Sequence, residues 1–329
     1  MRWRRRFSRL MIFFSGVLLF SPPCGAETRK DTLPNGLTYL VLKNAGTASV
    51  AVDLWIRVGS RNEAPEKNGI SHFVEHLLFK GTATRSAREI SRQLSSVGGS
   101  INASTQWEYT QVHISILPAH LPLALEILAD MARNSVMSKD MVEKERKVIL
   151  EEISLGKIYP PAYVLNLVTR SLFRENPLQM PISGTAETVK SIGVDDLRSF
   201  YRRHYVPNNC FLSVVGNVDP DRAGAAIEER FASWPRGEER VSPPPAPTRQ
   251  QRFQEVSERK FLDQAIVVLA VQAMGIRDKD RAAFDIVNTA LGAGGNSRLY
   301  HEIREKKGLS YLVGSMYYPL SDTGLWGIY

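Results

Sequence analysis

The stretch His72-Phe73-Val74-Glu75-His76, set between Asn68-Gly69 and Lys80-Gly81, restricts the fold of this chain more than any other. Phe73, Leu77, Leu78 and Phe79 predict a helix, and residues three and four apart on a helix share a face, so His72, Glu75 and His76 project together. Two imidazoles and a carboxylate converge on one point. Two neutral His nitrogens one turn apart are a common start for a tetrahedral zinc site, which in a catalytic centre takes a third protein ligand and leaves a fourth position for water. With 6 histidines and 34 acids in 329 residues, such a triplet arises from composition alone in about one chain in a hundred. A structural histidine cluster is the competing reading.

A third ligand then has to come from elsewhere in the chain. Ser138 to Ile153 opens a long, highly charged helix in which Glu145 and Glu152 lie seven residues apart, two turns along one face. A carboxylate from that helix is the natural partner of a two-His site, although charge runs of this kind usually pair with their own lysines and arginines on a solvated face.

The pattern before residue 237 alternates between strands and helices. Leu33 to Leu42 predicts a turn inside a hairpin, Ala48 to Val58 a strand, and Ser86 to Val97 a helix with a Ser-x-x-Glu capping box that stops at Gly98-Gly99. Ile101 to Thr105 and Gln111 to Leu117 predict strands, with His113 a solvated strand residue. Helices follow at Leu121 to Met131, after Gly184 and at Asp195 to Tyr201, then a buried strand at Cys210 to Gly216 and a helix opened by Asp219-Pro220. A proline cluster in residues 237–251 suits an extended linker. Beyond it the plan restarts: a strand at Gln264 to Val271, a helix through Arg281 to Leu291, a glycine-rich break, a helix from Ser297 to Gly308 and a hairpin from Leu309 onward. The expectation is an α+β protein with two similar units, each a sheet with helices packed on it. The second is expected to be incomplete, as a fragment of a longer chain or a naturally shortened one, since Tyr329 falls inside a predicted strand.

Five arginines in residues 1–9, an apolar run from Leu10 to Phe20 and the small residues up to Ala26 read as a secretory signal cleaved near Ala26. Export to the periplasm or the medium follows, with a lipoprotein anchor on Cys24 the weaker alternative. Removal of that segment takes five of the 42 basic residues and none of the 34 acids, so the net charge of +8 falls to +3. No basic stripe with interleaved aromatics remains, which argues against a nucleic-acid partner. Cys210 is then the only cysteine, and no internal disulfide can form. The domain plan is therefore a signal at 1–26, a metal-motif domain at 27–236, a linker at 237–251 and a second unit at 252–329.

Several separated segments resemble the pitrilysin family of zinc peptidases, which includes insulin-degrading enzyme and the mitochondrial processing peptidases. They are the H-x-x-E-H order of His72 to His76, the inverzincin signature, then Glu145 to Glu152, Asn102-Ala-Ser-Thr105, Gly184-Thr-x-Glu187, Phe200 to Asn209, Val214-Val-Gly216 and Arg304 to Tyr311. The resemblance implies one zinc ion per chain, held by His72, His76 and Glu152, with Glu151 a less suited substitute. It makes Glu75 the general base and Glu145 an acid that orients the site. Asn102, Ala103, Ser104 and Thr105 would form the edge strand on which a peptide is laid. Arg304 and Tyr311 would face the carbonyl oxygen where charge develops. Asn176-Pro177 departs from the His-Pro usual in relatives.

The implied function is a zinc metallo-endopeptidase acting on short or unfolded polypeptides, as a homodimer or paired with a related subunit. The alternative is a non-catalytic assembly or peptide-binding subunit of the same family.

Overall fold

The computed structural model describes residues 27–238, 246–260 and 264–329. The segment expected to be a secretory signal and the centre of the expected proline-rich linker lie outside them. Six strands form one mixed sheet: β1 (Thr28–Thr32), β2 (Thr38–Lys43), β3 (Val50–Ile56), β4 (Ser100–Thr105), β5 (Thr110–Ile116) and β6 (Cys210–Gly216), in the order β1-β2-β6-β3-β5-β4. β2 and β6 run parallel and every other neighbour is antiparallel. β3, β5 and β6 alternate buried and half-buried residues along their whole length, so one face carries the core and the other stays accessible.

Helices cover the buried face. α1 (Ile70–Leu78) carries the metal motif, and its Phe73, Val74, Leu77 and Leu78 are buried in the main core with Val52, Leu54, Ile114 and Leu212 of the sheet. α2 (Ala87–Ser95) starts at the capping box of Ser86 and Glu89. α3 (Leu121–Asn134) contributes nine buried residues, and α4 (Lys139–Ile158) is capped by the Ser138 hydroxyl. α5 (Pro160–Leu172) is an element for which the sequence offers no clear signal. Pro160 and Pro161 both stand in its first turn, where a missing N–H leaves no bond unmade. α6 (Ala186–Ser191), α7 (Val194–His204) and α8 (Pro220–Phe231) complete the layer.

A second, three-stranded sheet has the order β7-β9-β8, from β7 (Leu269–Ala273), β8 (Ser315–Pro319) and β9 (Gly324–Ile328). α9 (Arg281–Gly292) sets Phe284 against Tyr317 and Trp326 of this sheet. Two expectations need correction. The strand expected from Gln264 begins only at Leu269, because the pairing Leu269↔Ile328 uses the last residue of β9 and leaves 264–268 without a partner strand among the described residues. The helix expected over Ser297 to Gly308 is wound as a π-helix at Tyr300–Lys306.

α1 begins at a crowded point. Gly69, its N-cap, has φ +95°, and Gly184 (φ +77°) packs against it so closely that a Cβ on Gly184 would sit 2.5 Å from the Asn68 carbonyl oxygen. Only glycine accepts both the left-handed backbone and that contact. Gly184→Ala is expected to destabilise the protein by more than about 1 kcal/mol, read from urea unfolding. An unchanged midpoint would show that this contact does not hold the start of α1.

Candidate metal centre

The site is assembled from α1 and α4, which pack side by side. His72 and His76 lie one turn apart, and their Nε2 atoms are 3.2 Å from each other. Glu152 Oε2, from α4, is 3.8 Å from His72 Nε2 and 3.5 Å from His76 Nε2. Donors about 2.0–2.1 Å from a tetrahedral zinc are about 3.4 Å from one another, so the three atoms already have the spacing of one face of that tetrahedron. No other trio of His, Cys, Asp or Glu among the described residues converges this way. Glu151 is exposed and outside the trio.

The protonation states suit a cation. His76 Nδ1 lies 3.2 Å from Glu145 Oε2, and Lys80 Nζ pairs with the other Glu145 oxygen at 2.7 Å. A carboxylate accepts, so Nδ1 carries the proton and Nε2 presents its lone pair toward Glu152. Burial, with the neighbouring His76, lowers the pKa of His72 to about 4, which keeps its imidazole neutral near pH 7. With His72 in the tautomer that leaves its Nε2 unprotonated, two ring nitrogens and a carboxylate oxygen would face one point. The set fits a divalent zinc-like ion.

Glu75 projects from the same face of α1 and is buried. Its Oε2 accepts a 2.6 Å hydrogen bond from the Thr105 hydroxyl on β4. Burial raises its pKa, while the Thr105 hydrogen bond and the nearby His76 ring pull the other way. β4 is an edge of the sheet. Gln106 N–H donates to Tyr109 O, and the antiparallel alternation counted back from that bond turns the backbone groups of Ile101, Ala103 and Thr105 away from β5, toward the free edge. Asn102 and Ser104 pair across with His113 and Gln111, so their side chains stand on the accessible face.

Other residues fall elsewhere. Arg304 places its guanidinium 4.3 Å from the Tyr311 ring centroid and 4.8 Å from that of Tyr300. The two predicted residues are thus brought together, with Tyr311 77 % exposed, but neither makes a hydrogen bond or ion pair with His72, Glu75, His76 or Glu152. His113 is not simply solvated: its Nδ1 lies 2.7 Å from Asp53 Oδ1 on β3, opposite it in the sheet.

Three supporting contacts carry little sequence signal. Lys80 follows α1 at a position that only its ion pair explains. Thr105 acts through its hydroxyl as well as its backbone. Glu63, buried before α1, accepts from Gly69 N (2.7 Å), Ser71 N (2.8 Å) and Asn68 Nδ2 (2.9 Å), filling the role of a cap that Gly69 has no side chain to play. An acid ahead of a helix is the only hint of it in the sequence.

Comparison with known proteins bears on the whole chain. Residues 39–186 match the family profile described as insulinase (peptidase family M16), and residues 191–329 match that of the peptidase M16 inactive domain. An uncharacterized zinc protease of Streptomyces coelicolor is 38% identical over 306 residues, covering 92% of this chain and 67% of that protein. The crystal structure of a protease from Helicobacter pylori superposes with a TM-score of 0.84 at 26% identity, covering 92% of this chain and 74% of the other. A ferredoxin protease mutant in complex with Arabidopsis ferredoxin matches in fold, with a TM-score of 0.72 at 21% identity over 92% of this chain and 35% of the other.

Two outcomes are expected at this centre. Glu145→Gln, which removes the charge that orients His76, is expected to weaken zinc binding about 10- to 100-fold in a chelator competition assay, with the fold intact by circular dichroism. Glu63 is pushed up from 4.5 to about 7, chiefly by burial and against its three donors. An acid raised on folding contributes stability that is complete below its unfolded pKa and is lost as pH rises through its folded one. The melting-temperature difference between the parent protein and Glu63→Gln is therefore expected to shift against the parent from about pH 4.5 to about 7 and then level off. A pH-independent difference would mean that Glu63 does not titrate in that window.

Proposed function

The chain belongs to peptidase family M16, and from that premise we propose that it is a zinc-dependent endopeptidase that hydrolyses extended or unfolded polypeptides. The observation that carries this reading is the convergence of His72 Nε2, His76 Nε2 and Glu152 Oε2 beside the buried Glu75 carboxylate. Zinc held by these three side chains supplies Lewis acidity toward a water or carbonyl oxygen. The chain's own residues do the rest. Glu75, its affinity for protons raised by burial, takes a proton from the attacking water and returns it to the leaving amine. The Thr105 hydroxyl holds Glu75 Oε2 and so fixes where that proton exchange occurs. Glu145 and Lys80 hold His76 in the ligating tautomer.

The free edge of β4 gives the substrate its register. A peptide added beside β4 would bond the outward backbone groups of Ala103 and Thr105, running past Glu75 with its side chains alternating between the metal side and the accessible face. Such a mode favours chains that can become extended. Arg304 and Tyr311, pre-stacked and exposed, are the donors we assign to the developing oxyanion and the adjacent backbone once substrate is bound.

Export rests on the arginine-rich start and apolar run of residues 1–26. Pairing as a homodimer or with a related subunit is the assembly we propose, because enclosing a peptide between facing domains would complete the site around an otherwise open edge.

Glu75→Gln keeps every zinc donor and removes the base. It is expected to retain one zinc per chain while cleavage of a quenched fluorescent peptide falls by at least about a thousandfold. Cleavage at the parental rate would overturn the role of Glu75. Zinc and peptide binding with cleavage in neither protein would select the non-catalytic reading.

A further inference from the structure

Arg61 has the largest side chain among the fully buried residues, and it lies outside the metal site. It sits in a 3-10 turn, Ser60–Asn62, two residues before Glu63 and its contacts with the start of α1. Its guanidinium meets two carboxylates. Nη1 pairs with Glu108 in the loop joining β4 to β5, while Nη1 and Nη2 each lie 2.7 Å from an oxygen of Asp322 in the loop joining β8 to β9. The Arg61 side chain is only 1 % exposed while Glu108 and Asp322 are part-exposed, so this is a bidentate pair across the two sheets with its guanidinium buried and its carboxylates at the rim.

The surrounding contacts tighten the same junction. Glu108 also accepts from Ser321 N (2.8 Å) and Ser321 Oγ (2.6 Å). On the backbone, Ser60 N–H donates to Gln106 O and Arg61 N–H to Trp107 O. Trp107 and Leu320, which flank this junction in sequence, belong to a small separate core with Phe173, Leu178 and Leu325. Gln106, Trp107 and Glu108 directly follow Thr105, whose hydroxyl holds Glu75. The segment 59–63 therefore touches the loop after the edge strand, the loop of the second sheet and the start of the metal helix.

We propose that Arg61 and Asp322 are positioning residues: their bidentate pair seats the second sheet on the loop that follows β4, and that seating fixes Thr105 and the edge strand relative to Glu75. The second unit then serves the reaction through its attachment as well as through any donors it brings to the substrate. The proposal deepens the peptidase reading and rests on it for its catalytic half. Its geometric half stands without it.

Arg61 itself is a poor test, since its removal would empty a fully buried site and leave Glu108 and Asp322 facing each other without a cation, a change expected to disturb folding. Asp322, a third exposed, is the usable handle. Asp322→Asn in the full-length zinc-loaded protein would keep the shape of the contact and remove its charge, and Asp322→Glu would keep the charge. Hydrogen exchange monitored by mass spectrometry is expected to rise about tenfold or more in the segment 100–110 of Asp322→Asn, with β1 and β2 as protected as in the parent. In the same variant kcat/KM for a fluorescent peptide is expected to fall about tenfold or more, because small displacements of catalytic groups are felt strongly. Zinc affinity should not change, and Asp322→Glu should recover part of the loss.

A purely structural pair would lower the melting temperature and raise exchange evenly across the chain, which would overturn the proposal. Parental exchange in 100–110, or a loosened 100–110 with parental kcat/KM in an active enzyme, would overturn it as well. If the parent cleaves no peptide, the peptidase reading fails, and the exchange measurement still decides whether the pair fixes the edge strand.

Discussion

The rest of the site depends on how helix α1 is held. It is short, and isolated helices of nine residues are not stable in water, so its orientation has to come from its neighbours. Phe73, Val74, Leu77 and Leu78 anchor it to the sheet core. Glu63 satisfies donors at its N-terminal end, where backbone N–H groups would otherwise be buried unpaired. Beyond its C-terminal end, Lys80 reaches Glu145 of α4. With a buried face and both ends fixed, three side chains of one helix are aimed with little freedom left.

The second helix adds what α1 cannot. A ligand on α1 one turn beyond His76 would lie at position 79 or 80, past the last turn, whereas α4 presents Glu145 and Glu152 along one face to the same imidazoles. One acid orients His76 from behind and the other closes the donor face. Arg146 supports the arrangement from the side. Its guanidinium donates to the Ile192 carbonyl at 2.8 Å, contacts that of Val189 and lies 5.3 Å from the Phe73 ring centroid, which ties α1, α4 and α6 together. The same guanidinium also pairs with Glu143 one turn earlier on α4, at 3.0 Å.

What could be read in the sequence follows the physics of range. The periodic and capped elements were legible: α1, α2 with its capping box, α4 with Ser138, β3, β5, β6 and α8 with Pro220 in its first turn all lie where local pattern puts them. His72, Glu75 and His76 are close in sequence, and Glu145 and Glu152 share a helix face, so their possible chemistry was legible as well. Contacts made at long range were not. Nothing in the neighbourhood of Arg61 announces Asp322, 261 positions away, and nothing near His113 announces Asp53 on β3. The double proline that opens α5 carries little signal, because local sequence cannot tell a first-turn proline from a breaker until the helix is seen. Strand β7 starts late because pairing, and not propensity, decides where a strand begins.

Charge balance links the centre to its chemistry. Around the two imidazoles stand three carboxylates, Glu75, Glu145 and Glu152, and one lysine, Lys80, which is committed to Glu145. His72 is kept neutral by burial, so it offers no compensating charge. Burial, and to a smaller extent the Glu152 charge, disfavour the ionised form of Glu75 and raise its proton affinity. A divalent cation between His72, His76 and Glu152 would offset both remaining negative charges at once and bring this cluster close to neutrality. It would also ease the ionisation of Glu75 near neutral pH, since a positive charge close by favours the charged form of an acid. The carboxylates that crowd the metal-free cluster would thus favour a doubly charged ion, and on the proposed reading such an ion would leave Glu75 ionised to act as a base.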